Sequence, residues 1–406
     1  MTAMSATFPA QYEALLVQLH SEMRAGRSDE ARASELRSEM AAVWYRLSED
    51  EQAIYDELSE DLYILEGKRV PVPLSEGETA VLVAQRLASA FKAKENRRAL
   101  ELIRKLTSID ASLSYVMGRC WERAGFLRAS VCFYDFANEQ EPNAIYEALA
   151  LAMLVQAGAL DEAAARAQAI EKRPVVSGTL LLKVASVLHQ TAAKAEVSQR
   201  PAIYARVTRL VEVAWDDRTA PASTRAEGLV VAGFSYEHLG DKDQALRSFE
   251  RAVAVHPSGA PLCARGLALL HIDRPRALRD LTDAAKLGTR LDWPYLYAAQ
   301  HAIEVRRFAE VERFCEAGLA FAQRAELRGR LFEWWAIAAI ELGRPPAEIT
   351  ALFEQAMAEL PLDLVLHRNV RMYRKWLETE RTIPSEAWEV ASADLDEEEA
   401  RASLTG

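Results

Sequence analysis

One window of this chain constrains its fold more than any other: Ala226 to Gly259, AEGLVVAGFSYEHLGDKDQALRSFERAVAVHPSG. Counted from Ala226, Leu229 stands at position 4, Ala232 and Gly233 at 7 and 8, and Tyr236 at 11. Ala245, Phe249, Ala252 and Pro257 follow at 20, 24, 27 and 32. Small residues at 8, 20 and 27 let two antiparallel helices approach closely, and large ones at 4, 11 and 24 fill the gap beside them. Gly240-Asp241 supplies the turn between the helices, and Pro257 ends the second. Alanine is plentiful while Gly (17) and Pro (15) are sparse, which favours helix throughout.

This 34-residue pattern is the signature of the tetratricopeptide repeat (TPR), and the chain resembles that family over roughly residues 79–363. High alanine and arginine usage points to a bacterial type. The match is strongest in three units. The second, counted from Ala111, has Gly118 at 8, Trp121 at 11, Gly125 at 15, Tyr134 at 24, Ala137 at 27 and Pro142 at 32. The fifth is the Ala226 window. The eighth, Arg330 to Asp363, has Ile349, Phe353, Ala356 and Pro361 at 20, 24, 27 and 32. Weaker units lie between them. The first carries Ala99, Ile103 and Leu106, and the third has Gly158 as its turn with Ala163 and Ala167 after it. The fourth runs from about Gly178, with a stretched connection near Lys194 to Arg200 and a second helix ending at Trp215. The sixth is about two residues short before Ala277, Leu281 and Ala284; the seventh, from near Asp292, carries Val311, Cys315 and Gly318.

The resemblance implies an all-α fold: a right-handed superhelical TPR solenoid of about eight helix-turn-helix units, with an N-terminal helical module and a C-terminal capping helix. Residues 1–75 form that module and a linker, 76–363 the solenoid, 364–380 the capping helix and 381–406 an acidic tail expected to be disordered. In the module, Ser48-Glu49-Asp50-Glu51 is a capping box that starts a helix. Ala53, Ile54, Leu58, Leu62, Tyr63 and Leu65 follow at helical spacing, and Glu60-Asp61 reads as part of the solvated face. Lys68 to Pro73 holds two prolines, so it is extended and marks a domain boundary.

The formal charge is −11, which argues against nucleic acid as the main partner. No apolar run approaches the length of a membrane span, and MTAMSATFPAQYEALL lacks the basic and apolar regions of a signal peptide. Cys120, Cys132, Cys263 and Cys315 show no metal-type spacing and sit in apolar helical settings, as buried thiols of a reducing cytoplasm do. No phosphate loop, dinucleotide fingerprint, zinc-binding H-E-x-x-H or nucleophile elbow occurs, and no two of the seven histidines pair at i, i+4. No enzyme, cofactor or metal site is expected; His238 and His271 read as satisfied or solvated side chains.

In the resembled family the concave groove is lined by first-helix positions 2, 5, 9, 12 and 13. By that register unit two offers Tyr115, Arg119, Glu122 and Arg123, and unit five Glu227, Val230, Phe234, Glu237 and His238. Unit seven gives Trp293, Leu296 and Gln300, and unit eight Leu331, Trp334 and Glu341. Phe234, Trp293 and Trp334 are either interface anchors or packing between repeats; Trp335, at position 6, reads as packing. Repeats that grip C-terminal carboxylates use first-helix Lys and Asn. The four asparagines here, Asn96, Asn138, Asn143 and Asn369, do not fall clearly on first helices. The resemblance therefore implies a cytoplasmic adaptor or scaffold binding a protein or peptide, with an apolar or amphipathic segment favoured over a carboxylate. Two alternatives stay open: a peptide-responsive regulator whose N-terminal helices move when the groove fills, and a non-catalytic accessory subunit of an enzyme complex. The tail alternates acids with Trp388, Val390 and Leu395, and reads as a solubilising end, a docking motif or a competitor for the chain's own groove.

Overall fold

The computed structural model describes residues 8–68, 71–193 and 195–379, and from the C-terminal segment Trp388, Val390, Ala400, Arg401, Ser403 and Leu404. Among the described residues there are twenty α-helices, one 3-10 turn and no strand. They divide into two compact units between Ala195 and Glu196.

The first unit opens with α1 (Phe8–Arg24), α2 (Ala31–Trp44) and α3 (Glu49–Tyr63). Helical hairpins follow: α4 (Ala80–Lys92) with α5 (Asn96–Ile103), α6 (Ala111–Arg123) with α7 (Leu127–Gln140), and α8 (Ala144–Gln156) with α9 (Leu160–Glu171). α10 (Gly178–Ala192) closes the unit against α8 and α9. The second unit begins with α11 (Arg200–Ala214), which packs on α12 (Ala222–His238). α12 pairs with α13 (Lys242–Val255), α14 (Gly259–Leu269) with α15 (Arg274–Lys286), α16 (Trp293–Glu304) with α17 (Phe308–Leu319), and α18 (Ala325–Glu341) with α19 (Pro346–Glu359). α20 (Leu364–Thr379) covers α19, as a capping helix must. The fourth repeat read from the sequence is therefore split, its first helix in one unit and its second in the other.

Five hairpins close where the repeat register places them. Gly125, Gly158 and Gly240, all at position 15, are left-handed, with φ of 93°, 71° and 82°. The same position holds Lys94 and Arg306 in repeats one and seven, and both adopt positive φ (62° and 59°) without glycine's freedom. The small-against-large rule is literal. A Cβ on Gly118 would lie 2.7 Å from Cε1 of Tyr134, and one on Gly233 would press still harder on Cε1 of Phe249. Positions 8 and 24 thus interlock in both repeats.

The capping box at Ser48 forms as read: its hydroxyl accepts from the Glu51 N–H while the Glu51 carboxylate accepts from the Ser48 N–H at 2.8 Å. Three expectations for this region change. The core face of α3 is Tyr55, Leu58 and Leu62, while Ala53, Ile54 and Tyr63 are exposed, because Tyr55 is tied down by its hydroxyl bond to the Pro9 carbonyl. Glu60 is exposed as expected, but Asp61 is fully buried. Arg104 clasps it through two bonds of 2.7 and 2.9 Å, and the Trp121 indole N–H donates to it at 3.1 Å. Finally, the proline segment does not divide two cores. Leu16, Leu36 and Leu58 share one apolar cluster with Ile103, Met117 and Phe133. Glu13 on α1 also accepts from the Ala129 N–H at 3.0 Å, capping the first turn of α7. Of that segment, Arg69 and Val70 lie outside the described residues; Val72 N–H donates to the Arg104 carbonyl at 2.9 Å.

Candidate functional site

The first helices of successive repeats touch: α12 packs on α14, and α16 on α18. That close stacking decides which groove positions reach solvent. Phe234 (2% exposed) packs at 5.0 Å, edge to face, on Phe249 of its own repeat. Trp334 is completely buried, and its indole nitrogen has no hydrogen-bond partner among the described residues. Val230, Leu296, Gln300 and Leu331 are buried as well. Reading Phe234 and Trp334 as exposed anchors is therefore corrected: both are core side chains, drawn in because the array is tight enough for position 9 of one repeat or position 5 of another to be covered by neighbours. Trp335 packs partly buried against the same cluster, as expected.

In the first unit the groove positions knit repeats together. Tyr115 stands between the rings of Tyr134 (6.2 Å) and Tyr146 (5.7 Å). Arg119 pairs with Glu122 at 2.7 Å, and Glu122 also accepts from the Tyr134 hydroxyl. Arg123 lies 4.6 Å above the Phe91 ring. Three of the four asparagines are structural: Asn143 caps α8, Asn138 accepts from the Asn143 N–H, and fully buried Asn369 donates to Glu333 at 2.8 Å. A cleft of about 310 Å³ lies beside α1, α3 and α7, with two ion pairs on its rim, Arg166 with Asp135 at 2.8 Å and Arg24 with Glu139.

In the second unit, described residues of the C-terminal segment meet three of the predicted groove residues. Trp388, 7% exposed, donates its indole N–H to Glu341 at 3.3 Å. The Arg401 guanidinium donates to Glu237 at 3.0 Å. Ser403 Oγ accepts from the Trp293 indole N–H at 3.2 Å, while Ala400 is 2% exposed and Val390 and Leu404 pack on the same apolar cluster. Ala400, Arg401, Ser403 and Leu404 are helical. Trp293 itself is 1% exposed, its N–H turned to the C-terminal segment. For these six residues the expectation of a disordered tail does not hold; the rest of residues 381–406 lies outside the described residues. The sequence signal was the alternation of apolar and acidic residues, which marks an amphipathic segment without saying what it covers.

Of the remaining predicted groove residues, Glu227 and His238 are exposed, and His238 stacks on Tyr204 at 4.4 Å and 12°. Among the described residues no group of three or more His, Cys, Asp or Glu side chains is arranged to hold a metal. Burial raises the thiols of Cys120 to about 11 and Cys132 to about 12, and drives those of Cys263 and Cys315 up as well. No described helix is long and apolar enough to cross a membrane.

Most helices of each unit pair as antiparallel hairpins. No protein-family model matches the chain, and no curated protein matches it significantly. Among solved structures it is similar to a thermophilic TPR protein of Thermus thermophilus: 14% identity, 44% of this chain and 91% of that one, TM-score 0.38. It is also similar to yeast Tom70 (12% identity, 80% and 75% covered, TM-score 0.30). A third is the C-terminal part of a TPR repeat-containing protein from Cytophaga hutchinsonii (12% identity, 70% and 98% covered, TM-score 0.32). The hairpin assignment itself rests on the Gly118–Tyr134 and Gly233–Phe249 interlocks and on the left-handed turns at position 15.

Proposed function

We propose that the chain is a non-catalytic cytoplasmic adaptor whose second unit binds a protein segment across the first helices of repeats five to eight. The observation that carries this reading is the placement of Trp388, Arg401 and Ser403. Polar groups of the groove, Glu341, Glu237 and the Trp293 N–H, all meet polypeptide atoms with ordinary hydrogen-bond geometry. A pre-formed concave face lowers the ordering cost of taking such a segment. Two of these groove groups are carboxylates, which suits an amphipathic segment carrying N–H donors and repels a free C-terminal carboxylate. Nucleic acid is disfavoured on the same ground and by the net charge of −11. In the first unit, Tyr115, Arg119 and Arg123 form a rigid inter-repeat surface available as a further contact.

The regulator alternative requires the N-terminal helices to move. The buried Asp61–Arg104 clasp and the Glu13–Ala129 bond oppose that, since breaking a buried charge pair costs several kcal/mol, roughly 3–5. An accessory-subunit role is compatible with the same groove.

The test is capture of partners from native lysate by wild type and by a Glu237→Arg/Glu341→Arg variant whose circular dichroism matches wild type. Both side chains are partly exposed. A partner enriched by wild type and lost by the variant supports the groove; a partner kept by both places the contact elsewhere.

A further inference from the structure

The groove's occupant belongs to this chain. Trp388 sits at Glu341, the last residue of α18; Ser403 meets Trp293, the first residue of α16; Arg401 meets Glu237 near the end of α12. Glu237 and Glu341 both stand at position 12 of their first helices. The described contacts thus fall on repeats eight, seven and five, and Trp388 and Arg401 each supply a donor to one of these position-12 carboxylates. Its apolar side chains, Trp388, Val390, Ala400 and Leu404, join the cluster formed by α14 to α20. Complementarity is both chemical and steric: donors face carboxylates, and Ala400 fits where nearly all of its surface is covered.

Building on the adaptor reading, we infer that the C-terminal segment is a tethered stand-in for the partner. It holds the groove shut until a segment of the same chemistry displaces it. That partner segment carries an aromatic N–H donor and, about 13 residues on, a helical Ala-Arg-x-Ser-Leu-like turn whose arginine meets Glu237. A segment that places a carboxylate or an apolar group opposite Glu237 or Glu341 would meet the wrong chemistry there, whatever acids it carries elsewhere. The tether sets the threshold, because an intramolecular competitor acts at an effective concentration in the millimolar range. Weak or scarce ligands are excluded and strong ones admitted.

The experiment uses the full chain and a fluorescein-labelled synthetic peptide of residues 385–406, with affinity read by anisotropy. Wild type is compared with Trp388→Ala/Arg401→Ala, which releases the tail, and with Arg401→Ala alone, whose side chain is 32% exposed. The double variant is expected to bind the peptide at least about tenfold tighter than wild type, with the single variant between them. Adding Glu237→Arg to the released protein should abolish that gain, and a peptide carrying the Arg401→Glu change should restore it. Equal affinity for wild type and released protein overturns the inference, since the groove would then already be open. Absence of binding to both also overturns it. In either case the adaptor reading is judged separately, by whether Glu237→Arg/Glu341→Arg loses a captured partner.

Discussion

Gly233 and Phe249 touch so closely that a methyl group cannot stand between them: the Cβ of any other residue at 233 would fall well inside van der Waals contact with the Phe249 ring. The ring is completely buried and also packs edge to face on Phe234 at 5.0 Å, which leaves it little room to yield. Gly233→Ala is expected to cost about 1–3 kcal/mol by overpacking. Pairing it with Phe249→Leu should recover part of the loss. Urea denaturation of the two variants and wild type checks this; a neutral Gly233→Ala would mean that the interlock is not what closes the hairpin.

Asp61 gives the second prediction. It is buried between Arg104 and the Trp121 N–H; in Asp61→Ala both lose this acceptor, and Arg104 keeps Glu57, its carbonyl at 3.3 Å and its carboxylate at 3.5 Å. The expected loss is about 3 kcal/mol, the lower end for a broken buried pair, because Glu57 still faces the guanidinium. Arg104→Met/Asp61→Leu should be far milder than the single change. Chemical denaturation of the set separates a lost charge pair from lost packing.

Glu13 makes stability depend on pH. Burial pushes its carboxyl above the ordinary value of 4.5, against the opposing pull of the Ala129 and Arg128 amides and the Arg128 charge. A carboxyl raised on folding takes up a proton more readily in the native state. Its contribution is fully present below the ordinary carboxylate pKa and is lost as pH rises through the higher folded value. Glu13→Gln, which keeps an acceptor for Ala129, should remove this decline with pH. Melting curves of wild type and Glu13→Gln from pH 4 to 8 test it, and parallel curves would contradict it.

Arg306 occupies a left-handed turn position that glycine fills in repeats two, three and five. Arg306→Gly relieves that backbone strain at some cost in unfolded-chain entropy, for a net gain of up to about 1 kcal/mol. The same change at Gly240, to Arg, should destabilise. Thermal melts of both variants read the two signs directly.

The sequence by itself determined the hairpins. Helix pairing depends on residues close in the chain, so the spacing of Gly233, Ala245 and Phe249, the glycine turns and the Ser48 capping box could all be read without coordinates. So could the register that put Glu237, Trp293 and Glu341 among the groove positions. Only the tertiary structure decided which of those positions stay accessible, because burial at a groove position depends on how tightly successive first helices stack. That stacking sent Phe234 and Trp334 into the core. Long-range packing likewise buried Asp61, whose partners Arg104 and Trp121 lie 43 and 60 residues away. It also decided that the C-terminal segment lies on Glu237, 164 residues before Arg401. A pairing over that distance leaves no periodic trace; it arises only when folding has brought donors and carboxylates to the same surface.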